Sequence, residues 1–504
     1  MRESLKKDII KLINKKSFKE DSLMVILSLL DELVNTILKA EEKFLSNPKD
    51  LHTFETSVKS STDQFAREIL GGVLSELNQL IYDSSWRMDK YNVQRTDQRT
   101  LISSFGDVTF DCTYYKNLIE GGYSYLLEDV VGISCRERFT EAAEVAILTE
   151  ALKTSYREAA KVIPTKSKIS PTTVMNKVHQ IADEMPPEEP HELKKVDYLF
   201  IEADEDHVAE QHGRWRPKED NKGFICRLVY VYEYKREDPN CKGRNELVGT
   251  FRFSGLYPGN KGVTKLWEKV ADYIDNNYDY DELKQIFITG DGAGWIKSGA
   301  NIIDKSLYCA DKFHLMKYIN AASNQMLDEK DIAKSKLYKY LGKKEKKKFR
   351  EYTNKMMASA NNQEPIEKLQ TYVLGNWGAV MRTLHDERVQ GCSAEGHVSH
   401  DLSHRLSSRP MGWSQEGADR MAKLRIYEKN FGRAKIIKLV KVSREKRIAQ
   451  KTGTDDIEIK PASHREVMAE YYDQARSYLD RWNVTIGGAT AKKTAAIRTQ
   501  LNLL

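Results

Sequence analysis

The sequence predicts a multidomain α+β protein, and three observations carry that expectation. Apolar residues recur at helical spacing through the first third of the chain. A proline- and acid-rich stretch, DEMPPEEPHELK at 183–194, then interrupts the pattern. Beyond it, short β-branched runs alternate with helical ones and lead to KQIFITGDGAGWI at 284–296, where an apolar run ends in a carboxylate set among glycines. A chain of 504 residues has room for several domains.

Composition narrows the classes. Hydrophobic residues make up 40% and charged residues 31%, with no apolar run near the roughly 18 residues that a bilayer span needs. The start MRESLKKDII lacks an apolar signal region, so a cytoplasmic, nucleoid-associated protein is expected. Six cysteines lie scattered without a C-x-x-C pair, which argues against a zinc knuckle or a redox site. A net charge of +6 leans only slightly toward polyanions.

In chain order, Leu23, Leu27, Leu30, Val34 and Ile37 mark an amphipathic helix over 21–45, either docked on its own domain or serving dimerisation. A second helix is expected over 62–82. TLISSFGDVTFDCTYY at 100–115 alternates and breaks at Gly106-Asp107, the pattern of a β-hairpin. Helices follow at 140–153 and 155–162. Ser170-Pro171 is then an N-cap with proline at the first helical position, opening TTVMNKVHQIA. The last two helices read as a helix-turn-helix, with Thr172, Thr173, Asn176, Lys177 and His179 exposed for DNA. After the 183–194 linker come three strands (196–208, 223–235 and 246–257), a helix (263–275), a strand (283–291), a short helix from Ala293 and a strand at 306–311. That is a ribonuclease-H-like order. Basic helical sequence follows, including LGKKEKKKFREY at 341–352 and GRAKIIKLVKVSREKR at 432–447, each either a solvated face or a phosphate contact.

Alternation places Glu202, Asp204 and Asp206 on one side of the first core strand. Asp204 and Asp291 end strands that this order sets side by side, and two such carboxylates are hard oxygen ligands suited to Mg²⁺ or Mn²⁺. Glu395, in a helical segment 394–406 with Ser393 as its N-cap, is the candidate third ligand. Two alternatives use the same residues. His397, His400 and His404 share one helical face and could bind zinc. GDGAG after a strand, with Asp311 twenty residues beyond Asp291, has dinucleotide-binding spacing, although position 295 is Trp where the third glycine belongs.

The segments IEADEDHV (201–208), GDGAGWI (290–296), DKFHLMKYI (311–319) and CSAEGHVSHDLSHRLSSRPMGWS (392–414) together resemble the ISLre-two group of bacterial insertion-sequence transposases, long catalogued as uncharacterised protein family 0236. The resemblance covers roughly residues 60 to 430. It implies a DDE transposase whose ribonuclease-H-like catalytic core is interrupted by an all-helical insertion. Carried onto this sequence, it makes Asp204, Asp291 and Glu395 the catalytic carboxylates that hold Mg²⁺ or Mn²⁺, with Asp206 as the alternative to Asp204. Asp206, Asp311 and His314 would support the site, and Arg405, Arg409, Lys423 and Arg425 would meet phosphates. The implied partners are the element's terminal repeats, target DNA and further copies of the chain, as a dimer or larger assembly. An inactive DNA-binding regulator and a host nuclease of the same fold are the alternative functions. The expected parts are a helical N-terminal region (1–95), a hairpin and helix-turn-helix region (96–185), the first part of the core (195–320), a helical insertion (321–390), the final core helix (391–430) and a basic helical C-terminal tail (431–504).

Overall fold

The computed structural model describes residues 16–452 except 135–136, 182–191, 212–222, 240, 244 and 410, with side chains described from 25 to 447. Most of the expected 183–194 linker, and the tail beyond 452, lie outside the described residues. Residues 1–444 form one compact unit and 445–504 a second. The first unit is a mixed α+β structure. Among its described residues no helix is long and apolar enough to cross a membrane.

Two long helices, α1 (Lys16–Ser46) and α2 (Leu51–Asp83), open it as an antiparallel hairpin in which Phe44 stacks on Phe54 at 5.1 Å. Helix α2 starts eleven residues before the sequence pattern suggested. Its first turns are rich in Ser and Thr, with apolar Leu51, Phe54 and Val58 spaced too sparsely among them to stand out, and Asp50 caps them by accepting from the Thr53 N–H at 3.2 Å. At Gly71, α2 lies so close to the next element that a Cβ would stand 2.5 Å from the Thr109 carbonyl oxygen. That element is the predicted β-hairpin, β1 (Tyr91–Ser103) and β2 (Gly106–Asn117), turning on two residues with Gly106 at φ +113° and joined by β3 (Tyr123–Tyr125). Strand β1 begins well before position 100 because its first half is largely exposed and polar, and so carries no alternation to read.

Helices α3 (Glu141–Ala151), α4 (Tyr156–Ala159) and α5 (Pro171–His179) follow, and Ser170 caps α5 as predicted, accepting from the Thr173 N–H at 3.1 Å. One expectation fails here. Lys177 does not face solvent: it is 7% exposed, with Nζ 2.9 Å from Glu137 and 3.1 Å from Glu144. Arg444 joins Glu144 at 2.7 Å, so the buried charges are mutually paired, as burial demands.

The core sheet holds β4 (Tyr198–Val208), β5 (Phe224–Tyr232), β8 (Phe251–Gly255), β9 (Gln285–Gly290) and β10 (Ser306–Ala310), in the spatial order β10-β9-β4-β5-β8, with a separate ribbon of β6 (Tyr234–Glu237) and β7 (Asn245–Val248). The pairs β4–β5 and β5–β8 are antiparallel, while β9 and β10 run parallel to β4. One face, with Leu199, Ile201, Ile286 and Ile288, packs on α6 (Gly259–Asn277) around the fully buried Trp267. The indole of Trp267 donates to the Trp295 carbonyl at 2.8 Å, and a Cβ at Gly299 would strike its ring. The same core continues into the helical segment α7 (Lys312–Ser323), α8 (Lys330–Gly342), α9 (Lys346–Ser359), α10 (Glu364–Gly375) and α11 (Trp377–His385) through Leu337, Phe349, Leu369 and Val373. Helix α11 covers the open edge of β10: Arg382 donates to the Tyr308 carbonyl and Thr383 to that of Ala310. The other sheet face carries α12, a continuous helix over 394–406 with one π-helical turn at Ser399–Ser403, then α13 (Gln415–Phe431) and the start of α14 (Ile436–Thr452). Helix α5 packs on α13.

Because Trp267 fills the centre of the face shared by sheet and helices, Trp267→Ala should cost about 3–5 kcal/mol of stability. Denaturant titration followed by far-UV circular dichroism would register it as a lowered midpoint.

Candidate active site at the carboxyl edge of the sheet

Strand alternation turns Glu202, Asp204 and Asp206 of β4 to the same face. The parallel register sets Glu202 level with Thr289, so two residues further on Asp204 stands beside Asp291. On the far side of β9, Ala310 pairs with Gly290 and the Asp311 N–H donates to the Gly290 carbonyl at 2.9 Å. Asp291 and Asp311 therefore follow the last residues of β9 and β10, and Asp204 stands beside them where β4 has passed its pairing with β9; contrary to the sequence expectation it does not end its strand, since β4 runs on along β5 to Val208. This is the edge where open α/β structures bind ligands. Each is oriented by a nearby backbone N–H: Asp204 accepts from Glu205 at 2.8 Å, Asp291 from Ala293 at 2.8 Å and Asp311 from Phe313 at 2.9 Å. The second oxygen of Asp311 meets His314 Nδ1 at 2.7 Å, and this bond, helped by the neighbouring aspartates, raises the histidine's pKa. Burial first, and then the negative charge of Asp291, push the Asp204 carboxyl up to about 6.

The other two acids of that β4 face are committed elsewhere. Glu202, 1% exposed, accepts from the hydroxyls of Tyr230 and Tyr232 (2.5 and 2.7 Å), from Lys235 Nζ (2.8 Å) and from the N–H and hydroxyl of Ser393 (2.6 and 3.0 Å). Asp206 accepts from the Ser407 hydroxyl at 2.8 and 2.9 Å. Ser393 and Ser407 bracket α12, so β4 holds both ends of that helix with the acids on either side of Asp204. Ser393, expected to cap α12, makes no side-chain cap bond; its hydroxyl is turned to Glu202 instead. Sequence reading left Glu202 without a role. The available signal was Tyr230 and Tyr232 on the strand that pairs with it. Glu395 itself is exposed in the first turn of α12.

Two of the three glycines of GDGAG are filled by the chain, while Gly294 faces open space. A Cβ at Gly290 would meet Ile296 at 2.7 Å and the Ala203 carbonyl at 2.9 Å; at Gly292, φ +103°, it would meet Tyr372 at 3.2 Å. They permit packing of β9 on β4 and of the loop on α10, and the space they open is not left for a ligand.

The expected DNA-facing residues divide. Thr172 and Asn176 are exposed on α5; Thr173 is half-buried with its hydroxyl on Ser170, His179 is half-buried with Nδ1 3.7 Å from Glu416, and Lys177 is buried. Arg405 and Arg425 are corrected as well, since both are buried. Arg405 donates to the Ala151 carbonyl and lies over the Trp413 ring, with burial lowering its pKa to about 10; Arg425 donates to the carbonyls of Asp401, Leu152 and His400. Arg425 ties α13 to α12, and Arg405 ties α12 to the end of α3. Lys423 pairs with Asp419 at 2.6 Å, whereas Arg409 is exposed on the wall of a cleft of about 560 Å³. His400 and His404 are exposed, while His397 packs on Tyr230 at 4.6 Å with a pKa lowered by burial. Among the described residues no three His, Cys, Asp or Glu side chains stand close enough, as they are, to share one ion. Carboxylates on adjacent strands are nonetheless donors of the kind a hard divalent cation takes, and a cation would offset the Asp291 charge that adds to burial in raising Asp204.

Two outcomes follow. An aspartate whose folded pKa, about 6, exceeds its unfolded value of about 3.9 is favoured protonated in the fold, so the stability it lends is complete below pH ~4 and lost as pH rises through 6. Without divalent ions, Asp204→Asn should therefore melt higher than the parent above pH 6, by about 1–3 kcal/mol of stability, and the gap should close near pH 4 in a series of thermal melts. Glu202→Ala, which strands Lys235 and the Ser393 donors, should destabilise by about 3–5 kcal/mol in the same measurement.

Comparison with known proteins places this architecture in company. The model of the uncharacterised protein family UPF0236 matches residues 44–443. A UPF0236 protein of Caldanaerobacter subterraneus subsp. tengcongensis is 34% identical over 424 residues, covering 83% of this chain and 86% of the relative. A second from the same organism is 35% identical over 379 residues, covering 74% and 78%. Among solved structures, the Drosophila P element transposase strand transfer complex matches at 10% identity over 61% of this chain and 84% of that one, with a TM-score of 0.19, too low to bear on fold or activity.

Proposed function

The chain belongs to the uncharacterised protein family UPF0236, and we propose that it is a DDE transposase of the ISLre-two group, cutting the ends of a bacterial insertion sequence and joining the freed 3′-hydroxyls to target DNA. One observation carries this reading: Asp204 of β4 stands beside Asp291, which follows the end of the neighbouring parallel β9, and the helix bearing Glu395 is clasped at both ends to the strand of Asp204. The strand order supports a ribonuclease-H-like core from 195–320 and 391–430, with 321–390 as its helical insertion.

Asp204, Asp291 and Glu395 would hold Mg²⁺ or Mn²⁺, which supplies Lewis acidity to the attacking and departing oxygens of a phosphodiester. The side chains around them do the positioning. Asp311 fixes His314 beside the aspartates, Glu202 and Asp206 fix the helix of Glu395, and the exposed Thr172, Asn176, Arg409 and the lysines at 343–348 are available to DNA. In the first reaction a water oxygen bonds to phosphorus, the P–O3′ bond breaks, and the 3′-oxygen leaves as a hydroxyl. In the second, that hydroxyl attacks a target phosphodiester and displaces another 3′-oxygen. One phosphodiester is exchanged for another, so no nucleotide cofactor and no serine or tyrosine nucleophile is required.

Purified protein carrying Asp291→Asn should bind element-end duplexes within about twofold of the parent yet lose cleavage in Mg²⁺ by more than the 10–100-fold that loss of a merely supporting residue brings. Undiminished cleavage would overturn the site. Cleavage by the parent without joined products would favour the nuclease reading, and binding without cleavage the regulator.

A further inference from the structure

We infer that the exposed side of the α1–α2 hairpin is the surface through which two copies of this chain pair. Helix α1 uses one apolar stripe inward: Leu29, Leu33, Ile37 and Phe44, at helical spacing, are the half-buried positions against α2. It carries a second stripe outward. Leu27, Leu30, Val34, Leu38 and Leu45 are 43–65% exposed, and Val25 and Ile26 are comparably open. The Phe44–Phe54 stack sets the antiparallel register of the hairpin, which brings Val25 level with Val73 and extends the patch onto α2, where Leu70 and Val73 are 40% and 53% exposed. A helix that is apolar on two sides belongs in a bundle of more than two helices.

Area and charge select the occupant. A fully exposed aliphatic side chain offers roughly 100 Å² of apolar surface, so these nine at about half exposure present on the order of 400–500 Å². One side of a standard homodimer interface, about 800 Å² and some 65% apolar, needs about 500 Å². Over 25–45 the flanking charges are Asp31, Glu32, Glu41 and Glu42 against Lys39 and Lys43, four acids less two lysines, or −2. That balance disfavours both DNA and an anionic membrane surface, each of which selects basic faces. The stripe is self-complementary at its centre and its ends, while Leu30 falls opposite Glu42. Laid antiparallel about position 36, Leu27 meets Leu45 and Val34 meets Leu38 of the second copy, and a two-fold axis closes the assembly as a pair of hairpins.

The test measures mass, so it stands apart from the transposase reading. Full-length protein at about 10 µM, without DNA, should sediment as a dimer, and Leu30→Glu with Val34→Glu should weaken association at least 100-fold with an unchanged circular dichroism spectrum. Ile119→Glu, at an exposed position in the turn after β2, should leave the dimer intact. A monomeric parent, or a dimer that survives the double substitution, overturns the proposal. So does a monomer that dimerises only when residues 1–15 are removed, since that would make those residues the natural cover. Should the double variant lose its helical spectrum, Leu27→Cys with Leu45→Cys in a Cys241→Ser background decides: mild oxidation should trap a covalent dimer through the 27–45 contact, and its absence overturns the pairing.

Discussion

A single buried carboxylate holds the candidate site together. Glu202 sits in the middle strand of the sheet, out of water, and survives there ionised because an ammonium, two phenols, a backbone N–H and a hydroxyl all point at it. Lys235 and these donors hold its pKa below the usual carboxylate range against the opposing effect of burial. Such an arrangement is strong only when complete, since any missing donor leaves charge uncompensated in a low dielectric. Its consequence is geometric: it ties β5, the β6 ribbon and the start of α12 to one atom group on β4. Asp206 repeats the device at the other end of α12 with Ser407. Between them Asp204 is left facing Asp291.

The strand ends work in the opposite sense. Where Glu202 is satisfied, Asp204 is in tension, raised by burial and by the charge next to it. Placing like charges together lowers stability, and proteins retain such arrangements where function requires them. A satisfied acid and a strained one thus stand two residues apart on the same strand face.

The helical segment after β10 belongs to this site as much as to itself. Its core is continuous with the sheet, its last helix closes the β10 edge, and Tyr372 and Asn376 fill the space beside Gly292. It thereby fixes the loop that follows Asp291. The buried Lys177–Glu144–Arg444 cluster similarly binds α3 and α5 to α14, which explains why the basic run at 432–447 is partly interior, with Ile436, Leu439 and Val440 in the core and Arg444 spent on an ion pair.

Local signals were enough for much of this. Period-2 and period-3.6 patterns, the Ser170-Pro171 cap, the break at Gly106 and the apolar run before Asp291 identify the elements and their order, because each depends on neighbours within a few residues. They also bring Asp204 and Asp291 to notice, since alternation and strand order are readable along the chain. What they could not supply was the fate of each polar side chain. Lys177, Arg405 and Arg425 read as exposed cations, Asp206 as a rival of Asp204 and Glu202 as having no role, because partners that settle them lie far along the chain, in Glu144, Ala151, Leu152, Ser393 and Ser407. Sequence by itself determined which residues could form strands, helices and a carboxylate edge. Only the tertiary structure decided which charges are buried and paired, because the desolvation that forces a charge to find a partner exists only once distant segments have closed around it.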